Sequence, residues 1–401
     1  MKNGDISLLS IRDEFKIFEK YTFLDWAATS PPPLISVQKI KELLDGKVYL
    51  SEEDMPLELK AVRKGDPLRQ EVAKLINASE KEIAITGTST SQGIQIALES
   101  INPKIGENII TSDLEHLAVA TALQKWRKKG VEIKILKNRQ GDFNLEDFQS
   151  LINNKTKVVV LSSVTYINGY KFDIEELSKI VHESGAYLVL DSIQHLGAMK
   201  LNTKKAKIDF LASGGYKWLT SPFGIGILYV NEELLDILEP PFHGFTSISE
   251  PMLKGMGTDP NNNPIIDYEY VKEAKKFEYG GSLPYLGIVG LTASVSLINA
   301  LGIENIEKKN LRLKKILIEE LEKIGGRVLS PHDEKNFSAI TTFNIKKTLK
   351  EDYDLVDLLN HNGIILRGRG CSGIGGIRVG LHYPNEENDI IRLIEYIKKL
   401  R

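Results

Sequence analysis

One cysteine, Cys371, stands among 401 residues, so no disulfide can form within the chain. A cross-linked scaffold is excluded, and the fold must rest on a packed core. Excess charge of one sign is missing too: 52 Lys and Arg face 54 Asp and Glu, for a formal net charge of −2. That balance gives no footing for nucleic acid or an acidic membrane surface as partner. No unbroken apolar run approaches the ~18 residues a membrane helix needs. The opening MKNGDISLLSIRDEFKIFEK is charged throughout and holds no apolar signal core. A cytoplasmic protein is the expectation. What the chain does have is apolar material, 42% of its residues, and a length that predicts two domains.

From about 80 to 230, short apolar runs alternate with helical patterns. EIAIT, NIITS, VEIKIL, KVVVLSSV, AYLVLD, IDFLAS and GIGILYV read as strands. Between two of them, Ile94, Ala97, Leu98 and Ile101 keep helical spacing. Such alternation predicts a mostly parallel sheet with helices on both faces, and ligands at the strands' carboxyl ends. KYTFLDWAATSPPPL (20–34) reads as an extended entry loop, and 253–276 as a long polar surface loop. A helix is predicted at about 303–324, with Leu313, Leu317, Leu321 and Ile324 on one stripe.

Candidate chemistry sits at the predicted strand ends. Asp191 closes the run AYLVL, where a carboxylate is costly without a donor or cation to meet it; it could equally cap the next helix. Gln194 lies three residues on. Lys217, in SGGYKWL, offers an amine near another strand end. The stretch TGTSTSQGIQIAL (86–98) opens a helix with Ser89 and Thr90, a pattern that suits an anion or an ordinary cap. That stretch carries neither a P-loop nor a dinucleotide fingerprint. His116 starts a helix and is a flat ring that could stack on a flat ligand, or a structural histidine. Arg378, inside a strand-like run, suits either a carboxylate clamp or a salt bridge. Amine, carboxylate, anion nest, flat ring and clamp together fit pyridoxal phosphate and an amino-acid substrate.

The order of FLDWAATSPPP, EHLAV, LDSIQHLGA, SGGYKWL with FGIGILYV, FEYGGS and IRVGLHYPNEENDI resembles the class V aminotransferase family, of pyridoxal-phosphate fold type I. The resemblance implies an α/β fold: a large domain with a mostly parallel seven-stranded sheet, and a smaller C-terminal α/β domain. The implied division is an N-terminal segment 1–20, a large domain 21–284 and a small domain 285–401. It implies Lys217 as the Schiff-base lysine and Asp191 as partner of the pyridine nitrogen. Gln194 resembles the residue that hydrogen-bonds the ring hydroxyl or the Schiff-base region, and His116 the ring stacked on the cofactor. Ser89 and Thr90 match the phosphate turn, with Gly281 or Ser282 as the donor that reaches the partner subunit's phosphate in a homodimer. Tyr166 takes a place that many relatives fill with asparagine, and Ser213 partly substitutes for a serine or threonine nearer the lysine. Arg378 matches the substrate-carboxylate arginine.

Transamination between a small amino acid and a keto acid is the first expectation. A cysteine desulfurase or selenocysteine lyase using Cys371 is the second. An epimerase-like enzyme, or a fold kept only for binding, is the third. Cys371 lacks the histidine-containing surroundings of a desulfurase cysteine, and only seven positions separate it from Arg378.

Overall fold

The computed structural model describes residues 11–45, 65–87, 89–244, 247–249, 260–261, 263–278 and 283–400. The entry segment forms a two-residue strand, β1 (Thr22–Phe23), that pairs in parallel with Ile364–Ile365. Prolines 31–33 then lead straight into α1 (Leu34–Leu44), as the missing N–H donors allow at a helix start.

The apolar runs become one seven-stranded sheet. Its members are β2 (Ile83–Thr86), β3 (Asn108–Ser112), β4 (Glu132–Leu136), β5 (Thr156–Ser162), β6 (Tyr187–Asp191), β7 (Phe210–Gly214) and β8 (Gly226–Val230). The order is β2-β8-β7-β6-β5-β3-β4. β4, β3, β5, β6 and β7 run parallel, and β8 runs against both its neighbours. Val158, Val159 and Val160 are fully buried, as continuous apolar strands require when both faces are covered. The helices α2 (Gly65–Ile76), α3 (Thr90–Ile101), α4 (Leu117–Lys128), α5 (Leu145–Leu151) and α6 (Ile174–Glu183) accompany this sheet. Ile94, Ala97, Leu98 and Ile101 of α3 are all buried, so the predicted stripe is the packed one.

Beyond the sheet, the uncharged α7 (Tyr285–Leu301) packs on α1 and α2. Among the described residues no single helix is long and apolar enough to cross a membrane. A second, antiparallel sheet has the order β12-β13-β10-β9. It comprises β9 (Arg327–Val328), β10 (Ile340–Asn344), β12 (Arg367–Cys371) and β13 (Ile374–Gly380), while β11 (Ile364–Ile365) is the partner of β1. The helices α8 (Ile303–Lys323), α9 (Leu349–His361) and α10 (Glu387–Lys399) share a core with it, built on Leu313, Leu317, Leu321, Leu359, Ile377 and Leu393. Of the expected 253–276 loop, only 260–261 and 263–276 are described; they are irregular up to a 3-10 turn, Ala274–Phe277.

One residue of this second core is chemically out of place. Lys314 is fully buried, donates to the Ile340 carbonyl at 2.5 Å and lies 4.8 Å from the Phe337 ring. Burial pushes its amine down to about 7. A lysine held below its usual value gives up its proton to fold, so its cost is greatest below pH 7 and fades towards pH 10. We expect Lys314→Met to raise stability at pH 7 by on the order of 2 kcal/mol. The gap between variant and wild type should narrow in thermal melts taken from pH 7 to 10; a gap that widens instead contradicts the assignment.

Candidate active site

The carboxyl ends of β5, β6 and β7 converge, and the elements that follow them supply the polar groups. β6 ends in Asp191, which is 2% exposed. Its Oδ1 accepts the Ile193 N–H at 3.0 Å, and its Oδ2 has no partner among the described residues. Burial pushes this carboxyl up to about 6. Lys217 follows β7 and is 7% exposed. Its Nζ has no hydrogen-bond partner among the described residues and lies 5.9 Å from the Tyr216 ring. Burial, with Arg378 close by, brings its amine down to about 8. A lysine with no hydrogen bond among the described residues, whose amine gives up its proton near pH 8 instead of above 10, is suited to act as a nucleophile rather than as a structural cation.

Trp218 and Gln194 hold the backbone beside Lys217. The Trp218 indole N–H donates to Gln194 Oε1 at 2.8 Å, and Gln194 Nε2 donates to the Ala27 carbonyl at 2.9 Å. The Trp218 carbonyl accepts from His382 Nε2 at 2.9 Å. Burial keeps His382 neutral, down to about 3. Gln194 thus has its oxygen and one N–H engaged within the protein, with one N–H left over. Ser213 is likewise inward, donating to the Gly214 carbonyl at 3.2 Å.

An anion cradle lies next to them. Thr86, Gly226 and Gly214 sit side by side at the ends of β2, β8 and β7. The first turn of α3 abuts them, with Thr90 Oγ1 accepting the Gly214 N–H at 2.9 Å. Ser89 caps that helix without using its hydroxyl, and Thr86 Oγ1 is buried with no partner among the described residues. A Cβ on Gly226 would stand 2.6 Å from Thr86 Oγ1, so only glycine leaves this space open. Unused hydroxyls at a helix N-terminus suit a phosphate. Gly281 and Ser282 lie outside the described residues.

Between the two sheets opens a cavity of ≈ 430 Å³, walled by His116, Tyr166, Tyr216, Lys217, Arg369 and Arg378 among others. His116 caps α4, its Nδ1 accepting the Ala118 N–H at 3.2 Å, and the ring stands edge-on to Tyr166 at 5.0 Å. Partial burial and the cations Lys217 and Arg369 lower its pKa, so the ring is neutral. Its exposed face is free to lie against a flat ligand.

Arg378 sits in β13, 1% exposed, where the sequence pattern put it. It is already engaged. It donates to the Tyr166 carbonyl at 2.8 Å and to Asp25 at 3.3 Å, while its Nε has no partner among the described residues. The same Asp25 accepts from Arg367 at 2.8 Å. Asp25 escaped the sequence reading although it follows an apolar run, FL, just as Asp191 does.

Glu115 was missed as well. It is buried beside His116 and accepts from Ser112 Oγ and from both the N–H and Oγ of Ser162. It ties the ends of β3 and β5 together next to Asp191, which pairs in register with Ser162. Burial pushes it up to about 7 despite those donors.

Cys371 ends β12, half-buried, opposite Ile374. Ser372 and Gly373, with φ of 46° and 84°, make a two-residue turn of the mirror-image kind that joins tight hairpins. Ser372 Oγ donates to the Asp113 carbonyl at 2.7 Å, and Asn138 Nδ2 donates to the Ser372 carbonyl at 3.1 Å, so the tip is tethered. The Cys371 thiol donates to the Asp113 carbonyl at 3.5 Å and lies 3.4 Å from Ser372 Oγ, and its side chain packs in one small cluster with Tyr166, a wall of the cavity.

A model of the aminotransferase class-V family matches residues 22–393. A protein of Methanothermobacter thermautotrophicus named "Probable cysteine desulfurase" is 27% identical, over 97% of this chain and 97% of that relative. The apo structure of cysteine desulfurase from Thermococcus onnurineus NA1 superposes with a TM-score of 0.85 at 26% identity, covering 98% of this chain and 97% of that one. A structure of a C-DES mutant with glycine covalently linked to its pyridoxal phosphate cofactor shares the fold, with a TM-score of 0.84 at 18% identity over 96% and 98% of the two chains.

Proposed function

We propose that this chain, which belongs to the aminotransferase class-V family and works with pyridoxal 5′-phosphate, removes sulfur from L-cysteine and passes it to Cys371. The observation that carries the reading is a buried Lys217 amine, unpartnered among the described residues, in a cavity whose Tyr166 wall packs in one cluster with the chain's single thiol. The residues fit the cofactor. Lys217 is the attachment point, Asp191 Oδ2 is the acceptor for a protonated ring nitrogen, and His116 offers a ring face. Ser89, Thr90 and the open space at Gly226 receive the phosphate. Gln194 and Ser213 act mainly by fixing the backbone around Lys217. When bound, the cofactor supplies an electron sink for bonds at the substrate's α-carbon.

The chain's own groups do the rest. The unpartnered Nε of Arg378 binds the substrate carboxylate, while Asp25 and the Tyr166 carbonyl hold the guanidinium in place. Lys217, once free, moves protons at the α-carbon. The Cys371 thiolate attacks the substrate sulfur. The substrate C–S bond breaks with its electron pair left on carbon, which takes a proton. One cysteine and one thiol give one alanine and one persulfide, so no outside oxidant or reductant is needed.

Amino transfer, the first expectation, would use the same Lys217 and Asp191; the names of the relatives favour sulfur removal over it. The tethered hairpin tip favours a second reading, in which sulfide leaves directly and Cys371 is a bystander. Comparing Cys371→Ser with wild type on L-cysteine separates these. We expect alanine formation to fall at least about 100-fold in the variant. Undiminished sulfide release points to direct departure, and a keto acid formed without sulfur release points back to amino transfer.

A homodimer also belongs to this proposal. Phe223, 68% exposed, stacks on Tyr216, and Val37 and Leu286 are 47% and 45% exposed. Gly290 touches both Ile40 and Pro222, so α1, α7 and the segment after Lys217 share one region that a second copy would cover.

A further inference from the structure

The cavity carries more positive charge than a simple amino acid can answer. Lys217, Arg369 and Arg378 line it, and no carboxylate among the described residues does. Asp25 lies beneath, already held by Arg367 and Arg378. Arg369 has no such partner. It is half-buried, donates only a 3.4 Å bond to the Gly368 carbonyl and pairs with no carboxylate among the described residues. Drawing an unpaired guanidinium partly out of water costs free energy, and neighbouring Arg367 adds repulsion. Such an arrangement is retained at a cost unless a ligand completes it. An amino acid's α-carboxylate meets Arg378, which leaves Arg369 facing the side-chain end of the substrate.

We propose that Arg369 binds an anionic group at the end of the substrate side chain, so that this cavity selects amino acids carrying a second negative charge. The proposal rests on the Lys217 cavity being the cofactor and substrate site. For cysteine the group is the thiolate itself; a carboxylate of similar reach would fit the planar guanidinium better still. Specificity then comes from an unanswered cation that a neutral side chain leaves unpaired.

L-aspartate and L-asparagine have nearly the same shape and differ by one charge. Each is titrated into the cofactor-loaded protein while the visible absorbance is followed, which gives a dissociation constant without turnover. Wild type should prefer aspartate by about tenfold or more. Arg369→Gln should shrink that ratio below about twofold through lost aspartate affinity, and Arg369→Lys should keep part of it. Equal affinities in wild type overturn the proposal. So does equal weakening of both ligands in the glutamine variant, which would mean that Arg369 shares the α-carboxylate. A protein with no lysine-dependent visible band, or one that leaves cysteine intact, sinks the underlying reading instead. A band and sulfur release without charge preference sink this inference alone.

Discussion

Lys217→Ala should abolish the visible absorbance of the cofactor-loaded protein and cut turnover of L-cysteine by at least about 10³-fold. The size follows from the double use of one atom. Nζ is both the attachment point and the group that moves the α-proton, so truncation removes a covalent link and a base together. The protein should fold normally, because Nζ makes no hydrogen bond among the described residues that the truncation would break. Far-UV circular dichroism and the melting temperature are therefore the controls. Small primary amines added to the variant should restore part of the rate, a rescue that a purely structural lysine would not show. The pH dependence has a defined sign. With its amine brought down to about 8 in the ligand-free chain, Lys217 is cationic and unreactive below that value. The rate of cofactor attachment should rise with pH up to about 8 and level off above it. A variant that keeps the band, or a rate that falls as pH rises from 6 to 8, contradicts the role.

The residues that local pattern reveals are the ones whose job is local. Asp191 ends a buried strand and Lys217 follows another, and both positions can be read from an apolar run that stops at a charge. Six of the seven strands and the α3 stripe are legible for the same reason, since burial leaves continuous apolar runs; the edge strand β4, largely exposed, shows instead as the alternation EIKIL. The antiparallel course of β8 is not, because GIGILYV has the same composition whichever way it runs. Pairings across the chain are equally hidden. Arg378 meets Asp25 from 353 positions away, and nothing near either residue announces the other. Nothing around Glu115 in the sequence marks it; only the register of β5 brings Ser162 onto it. Cys371 was doubted because little chain separates it from Arg378. The structure explains that spacing as a two-residue turn between paired strands, and it still packs the Cys371 side chain in one cluster with Tyr166.

Asp191→Asn should lower turnover by about 10³-fold, and it should also reverse sign in stability according to whether the cofactor is bound. Asp191 is buried at the end of β6 with one oxygen unpaired, and its carboxyl rises from 3.8 to about 6. A carboxyl raised in the folded chain supports folding fully below its unfolded value, and that support is lost as pH climbs through the folded value. Without cofactor, wild type should therefore lose stability between about pH 4 and 6, by on the order of 2 kcal/mol. The asparagine variant cannot ionise and should be the more stable protein at pH 8. With cofactor, a protonated ring nitrogen supplies the missing partner, so the wild-type carboxylate becomes an asset and the asparagine a liability. Thermal melts of both proteins at pH 4.5 and 8, with and without pyridoxal phosphate, give four comparisons. The expected pattern is near-equality at pH 4.5 without cofactor, the variant ahead at pH 8 without it, and wild type ahead at pH 8 with it. Wild type ahead in the cofactor-free protein at pH 8 would mean that Asp191 already has its partner inside the chain. The buried acid would then be a structural residue, and the ring nitrogen would need another acceptor. The expected order instead marks Asp191 as a position where the fold gives up stability that only the cofactor restores.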